Sequence, residues 1–196
     1  MKLGNELNGA SFSEDRTHRY ALWRDWAPGA RCLFIGLNPS VADHEKDDPT
    51  IRKCIGFAKR WGFNGICMLN LFTQVTTDPK KLKPEPLNAE AARLMMGHAS
   101  MAEKVICCWG AFEEATTGLV RIYDALQLAR VKTLYCLGKT KSGAPRHPSR
   151  IAYATKLEVF AKWHESLFDT EPMPDPGKVK LNYFYKPKGD NGGKHP

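Results

Sequence analysis

The sequence has no run of about eighteen apolar residues, so no segment reads as a membrane span. It has no apolar leader region behind Met1-Lys2-Leu3-Gly4-Asn5, and the expectation is a cytoplasmic protein. It has no Cys-x-x-Cys pair among its six cysteines. Five of them (Cys32, Cys67, Cys107, Cys108, Cys136) sit inside apolar runs and Cys54 sits in a helical pattern, which reads as buried free thiol rather than as a metal site. It has no Gly-x-x-x-x-Gly-Lys loop, which argues against ATP-driven chemistry. It has no internal repeat. No cofactor and no metal are expected.

What is present is an ordinary globular composition with an excess of positive charge. The 196 residues suit one domain. Lys and Arg number 29 against 21 Asp and Glu, a net charge of +8, which favours polyanionic partners. Apolar runs bounded by turn residues recur along the chain. Tyr20–Trp26 reads as a short strand. Arg31–Gly36, Gly65–Phe72, Lys104–Gly110 and Val131–Gly138 read as buried central strands. Between them lie helical patterns. Asp48-Pro49-Thr50 opens one, with Asp48 as cap and Pro49 at the first helical position, and Gly62 ends it. Leu87–Ala102 forms another with Asn88 as cap, Phe112–Leu128 a third, and Ser149–Phe168 a fourth. Alternating strands and helices predict an α/β fold of three layers, α/β/α, around a mainly parallel central sheet. The domain is expected over residues 1–170, with 1–17 a loose arm and 171–196 a Pro-, Gly- and Lys-rich tail. In such folds ligands bind outside the carboxyl ends of the strands. The polar loops of this chain fall there: after Gly36, at Asn70, after Trp109-Gly110 and after Gly138.

Read together, four of these segments resemble the signature of the uracil-DNA glycosylase superfamily. Gly36-Leu37-Asn38-Pro39-Ser40 is similar to the water-activating loop, in the form that carries Asn, as in the mismatch-type branch. Cys67-Met68-Leu69-Asn70 resembles the strand whose terminal Asn reads the pyrimidine edge. Cys108-Trp109-Gly110 and His147-Pro148-Ser149 resemble the Trp-Gly strand end and the His-Pro-Ser loop. The order holds over about residues 31–155. The chain also resembles, over most of its length, a bacterial and phage family without an established reaction. Its marks here are Arg19-Tyr20, Gly36–Ser40, Asp48-Pro49-Thr50-Ile51-Arg52 and Arg146-His147-Pro148.

The glycosylase resemblance implies a monofunctional DNA N-glycosylase acting on a uracil-like or 5-substituted pyrimidine. The setting would be base repair, or defence against phage with modified DNA. Asn38 would position the water; its amide oxygen is a weak base, so it would orient more than deprotonate. His147 would hydrogen-bond the departing base, and Asn70 would pair with the base edge, its amide able to turn either way. Ser40, where the uracil-specific branch has Tyr, would leave room beside C5. Phe57 would stack on the base, with Trp61 and Phe63 as alternatives and core packing as the competing use of each. Ile151 would be the wedge that fills the gap left by a flipped base; a core-facing position is the alternative. Lys139, Lys141, Arg146, Arg150 and Ser149 would bind DNA phosphates. Lys178, Lys180, Lys186, Lys188 and Lys194 of the tail would add loose attraction. The partner would be duplex or single-stranded DNA, the protein a monomer. Two other readings stay open: a non-catalytic binder of DNA or of a modified base, and an enzyme of the same fold that acts on nucleotides or modifies bases.

Overall fold

A computed structural model describes residues 7–83, 87–112 and 114–162. The strands are β1 (Asn8–Phe12), β2 (Arg19–Asp25), β3 (Arg31–Gly36), β4 (Gly65–Asn70), β5 (Ala102–Cys107), β6 (Thr133–Cys136) and β7 (Glu158–Lys162). The helices are α1 (Pro49–Arg60), α2 (Ala89–Met101) and α3 (Glu114–Leu128). The architecture is α/β, with one seven-stranded sheet in the order β1-β2-β4-β3-β5-β6-β7.

The sheet is mixed. β3 pairs in parallel with β4 and β5, and β5 with β6, while β1, β2 and β7 run antiparallel at the two margins. The four parallel strands are the continuous apolar runs of the sequence, and they occupy the middle because both of their faces are apolar. In β3, Cys32 and Phe34 point into one cluster with Ile51, Cys54, Phe57 and Ala58 of α1. Leu33 and Ile35 point into another with Met95 and Ala99 of α2 and Ile122 and Leu126 of α3. The period of two along a strand is what feeds both clusters from one segment. All six cysteines are free and buried.

Two helix starts follow from their caps. The Asp48 carboxylate accepts the Ile51 N–H at 2.8 Å, with Pro49 beginning α1. The Asn88 side chain accepts the Ala91 N–H at 2.8 Å and begins α2. Each satisfies one of the amide groups that a helix start leaves without a partner.

The structure departs from the expected organisation in three places. The sheet, expected to be mainly parallel, is only partly so: three of its pairings are parallel and three antiparallel, because β1, β2 and β7 join its margins by antiparallel pairing. The described part of the expected arm, from residue 7, includes β1, paired with β2 from Asn8↔Arg24 to Ser11↔Ala21. Gly9 permits that pairing: a Cβ there would fall inside the Trp23 ring's contact distance. The expected helix from Ser149 is, through Lys162, a single 3₁₀ turn (Pro148–Arg150), an irregular stretch, and β7 against β6. Ile151, Tyr153 and Leu157 of that stretch pack into the α1 cluster. The tail, its lysines and the boundary at 170 lie outside the described residues. No helix among those described is long and apolar enough to cross a membrane.

Candidate active site at the ends of the parallel strands

Parallel pairing places four strand ends side by side. Gly36 is in register with Asn70, Ile35 with Cys107, and Cys107 with Cys136. The loops that leave these ends enclose a cleft of about 340 Å³, lined from Arg19 of β2 through Asn38, Asn70 and Trp109 to His147. That volume falls at the lower end of small-molecule sites, which run from about 300 to 1,000 Å³.

Asn38 stands in the wall with its amide fixed. Its Nδ2 donates to Thr76 O at 2.7 Å and to Pro39 O at 2.9 Å. Because carbonyls only accept, the nitrogen must face them and Oδ1 must face away. That oxygen takes no hydrogen bond from the described residues. Asn38 is half-buried, and this oxygen is not sealed from solvent. Ser40 also lines the cleft and is half-buried.

Asn70 ends β4 and is 6% exposed. Its Oδ1 accepts from Arg19 Nη2 at 3.2 Å. Its Nδ2 lies over Gly36, where a Cβ would stand only 2.8 Å away, so the strand end must be glycine for the amide to sit there. Arg19 is itself 3% exposed and gives a second hydrogen bond, from Nη1 to Ala42 O, at 2.9 Å. Desolvation lowers its pKa to about 10, with Asp48 opposing the shift; at neutral pH it is a buried cation.

Asp48 is buried beside them and is the one carboxylate among the residues lining the cleft. One oxygen caps α1. His147 completes the opposite wall. The Ser149 N–H points at its Nδ1 at 3.4 Å, and the Ser149 hydroxyl lies 3.0 Å from the same nitrogen. A backbone N–H only donates, so Nδ1 is the acceptor and the neutral ring carries its proton on Nε2. Desolvation lowers the His147 pKa below its ordinary value, with Asp48 opposing it.

Phe57, expected to stack on a base, stands in the core instead of at the cleft. Phe57 is fully buried between Trp61 and Tyr153, with ring centroids 5.3 and 5.0 Å away, and does not reach the cleft. Trp61 lies against Phe57 and Phe34, and Phe63 is buried in the same cluster. The aromatic ring at the cleft mouth is Phe112, 41% exposed, beside Gly110 and His147. Ile151 is 3% exposed and belongs to the α1 cluster, so it is a core residue and not a projecting wedge. Lys139, Lys141, Arg146, Ser149 and Arg150 are all exposed on the loop that carries His147. The loop is laced by Thr140 N–H to Ala144 O at 2.8 Å and by Arg146 N–H to Gly138 O at 2.9 Å. Among the described residues, no group of three or more His, Cys, Asp or Glu could hold a metal ion.

The profile of a family described as "Protein of unknown function (DUF1643)" matches residues 19–149. The chain belongs to the DUF1643 family. No curated protein and no solved structure matches it. The segment that makes this a DUF1643 protein begins at Arg19 and ends just past His147, and so contains every residue that lines the cleft.

Among the residues of the DUF1643 cleft that sequence reasoning missed, three are charged or aromatic: Arg19, Asp48 and Phe112. Arg19 and Asp48 stood in visible motifs, but Arg19 carried no assigned role and Asp48 was assigned only the helix cap. No local pattern says that a charged side chain is buried. Phe112 gave no signal beyond its place two residues after Trp109-Gly110.

Proposed function

We propose that this DUF1643 protein is a monofunctional DNA glycosylase with a three-layer, uracil-DNA glycosylase-like fold. It hydrolyses the N-glycosidic bond of a uracil-like or 5-substituted pyrimidine and leaves an abasic site. One observation carries the reading: Asn38, Asn70, Trp109 and His147, from four separate strand ends, line a single cleft.

The chemistry asks for a held water, a destination for its proton, and a partner for the departing base. Asn38 Oδ1 holds the water. Asp48 supplies the stronger base that an amide oxygen cannot be, and takes the proton. The water oxygen forms the new bond to C1′, the C1′–N bond breaks, and its electron pair leaves on the base. His147 Nε2–H hydrogen-bonds the resulting anion, which is then protonated from solvent. Asn70 donates to the base edge, and Phe112 offers an exposed ring at the mouth for stacking. Ser40 leaves the space beside C5 open.

The test is direct. DNA carrying uracil, mismatched thymine, or a hydroxymethylated or glycosylated pyrimidine is incubated with the protein, treated with alkali and examined for strand breaks. Breaks at one of these bases are expected. Tight binding to modified DNA with no base released from any substrate would replace catalysis by recognition.

A further inference from the structure

Arg19 is not accounted for by the fold around it. It is almost wholly buried, and it lines the cleft. Its Nε is the one buried side-chain nitrogen or oxygen among the described residues with no hydrogen-bond partner. It makes no ion pair there: the three charged contacts within 4 Å are Arg24–Asp47, Arg31–Asp25 and His44–Glu45. Asp48, Cys67 and Arg24 are the titratable groups whose fields it feels. A buried cation without a contacting anion is costly, and a ligand that brings negative charge relieves the cost.

The same guanidinium sets the orientation of Asn70. A guanidinium has donors and no acceptor, so the Asn70 oxygen must face it at 3.2 Å, and the amide cannot turn over. The Nδ2 hydrogens are then the end available above Gly36, on the cleft floor.

We propose that Arg19 is the positioning and specificity-determining residue of this cleft. It locks the Asn70 amide so that only donors face the ligand, and its unpaired charge favours a planar heterocycle that presents a keto oxygen and carries negative charge. An amino edge, as on cytosine, would put donor against donor. The inference deepens the glycosylase reading and rests on it for the identity of the ligand, since a departing pyrimidine is such an anion.

Binding of free bases separates the two. Wild-type protein is titrated calorimetrically with uracil, cytosine and 5-nitrouracil, the last of which is anionic. The titrations are made at about pH 8, above His147 and below Arg19. Uracil should bind more tightly than cytosine, and the anion at least about tenfold more tightly than uracil. Arg19→Lys should keep the preference for the anion, and Arg19→Gln should abolish it with the circular dichroism spectrum unchanged. Gly36→Ala gives a second route if Arg19→Gln does not fold. It displaces the Asn70 amide but leaves the charge, so it should erase the uracil-over-cytosine preference and keep the preference for the anion. Equal binding of all three bases by the wild type, or an unchanged preference in Arg19→Gln, overturns the inference. The pattern expected here without base release from any DNA would sink the glycosylase reading alone. Base release with an Arg19-independent preference would sink the inference alone.

Discussion

Asn38 and Asp48 stand in the same cleft, and their oxygens differ sharply as bases. An amide oxygen can orient a water, but a carboxylate can also take its proton. Asp48→Asn separates the two roles of that residue, because asparagine caps a helix about as well as aspartate. The variant should keep α1 and a native circular dichroism spectrum, with a lower thermal midpoint because Asp48 also offsets the buried Arg19 charge. It should release base at least about a hundredfold more slowly, within the usual range for loss of a general base. A wild-type rate in Asp48→Asn would reduce Asp48 to a helix cap. Asn38→Ala should slow release by about tenfold or more while DNA affinity stays nearly constant, since a held water matters chiefly in the transition state. Unchanged release would remove Asn38 from the mechanism. Ser40 governs a different property, the shape of the wall. Ser40→Tyr places a ring where the half-buried hydroxyl now lies, and discrimination by clash is strongest for the largest substituent. Relative rates should fall first for glycosylated pyrimidines, next for thymine, and least for uracil. Equal losses on all three would mean that Ser40 does not face C5.

At the scale of elements, the segment after Pro148 decides between two uses of Ile151. A wedge would be exposed, yet this side chain packs under α1 with Tyr153 and Leu157. Tyr153 in turn lies edge-on to Phe57 and beneath Lys53 and Arg60, whose cationic groups are 3.8 and 3.9 Å from its ring centroid. Ile151→Ala should therefore lower unfolding stability by about 2–5 kcal/mol, as for other buried aliphatic truncations. Urea denaturation measures it; a loss below about 0.5 kcal/mol, with weaker DNA binding, would restore the wedge. The same segment marks the limit of what the sequence made legible. β3, β4, β5 and β6 were readable because a strand buried on both faces is apolar without interruption. α1 and α2 were readable from Asp48-Pro49 and from Asn88. β1 and β7 were not. A margin strand needs hydrogen bonds to one neighbour only, so Asn8–Phe12 and Glu158–Lys162 carry little apolar pattern of their own. The site divides in the same way. Asn38 and Asn70 were visible because polar residues interrupt apolar runs at strand ends, and His147 through the resemblance carried by His147-Pro148-Ser149. The burial of Arg19 and Phe57 depends on which elements arrive from elsewhere in the chain.

Across the whole molecule, charge is the property that reaches farthest from the cleft. The net charge is +8, and Lys139, Lys141, Arg146 and Arg150 stand exposed on the loop that delivers His147. None of the four makes an ion pair among the described residues, so their charge is available to phosphates. The loop's backbone bonds, from Gly138 to Arg146, hold these charges in one region beside the cleft. A cation that neutralises a phosphate releases a condensed counterion, and log affinity then falls with log salt by about 0.9 for each phosphate on duplex DNA. Affinity for duplex DNA should therefore weaken as salt rises. Replacing Lys141 or Arg146 by Ala should shrink the slope by about one each, with little dependence on DNA sequence. Lys139 provides an internal contrast. Its Nζ already approaches Phe160 O at 3.5 Å and lies 5.6 Å from the Phe160 ring centroid, so Lys139→Ala should change the slope less than either of the other two. Fluorescence anisotropy across a salt series resolves these differences. An affinity that does not respond to salt, or equal slopes in wild type and all three variants, would take this loop out of DNA binding.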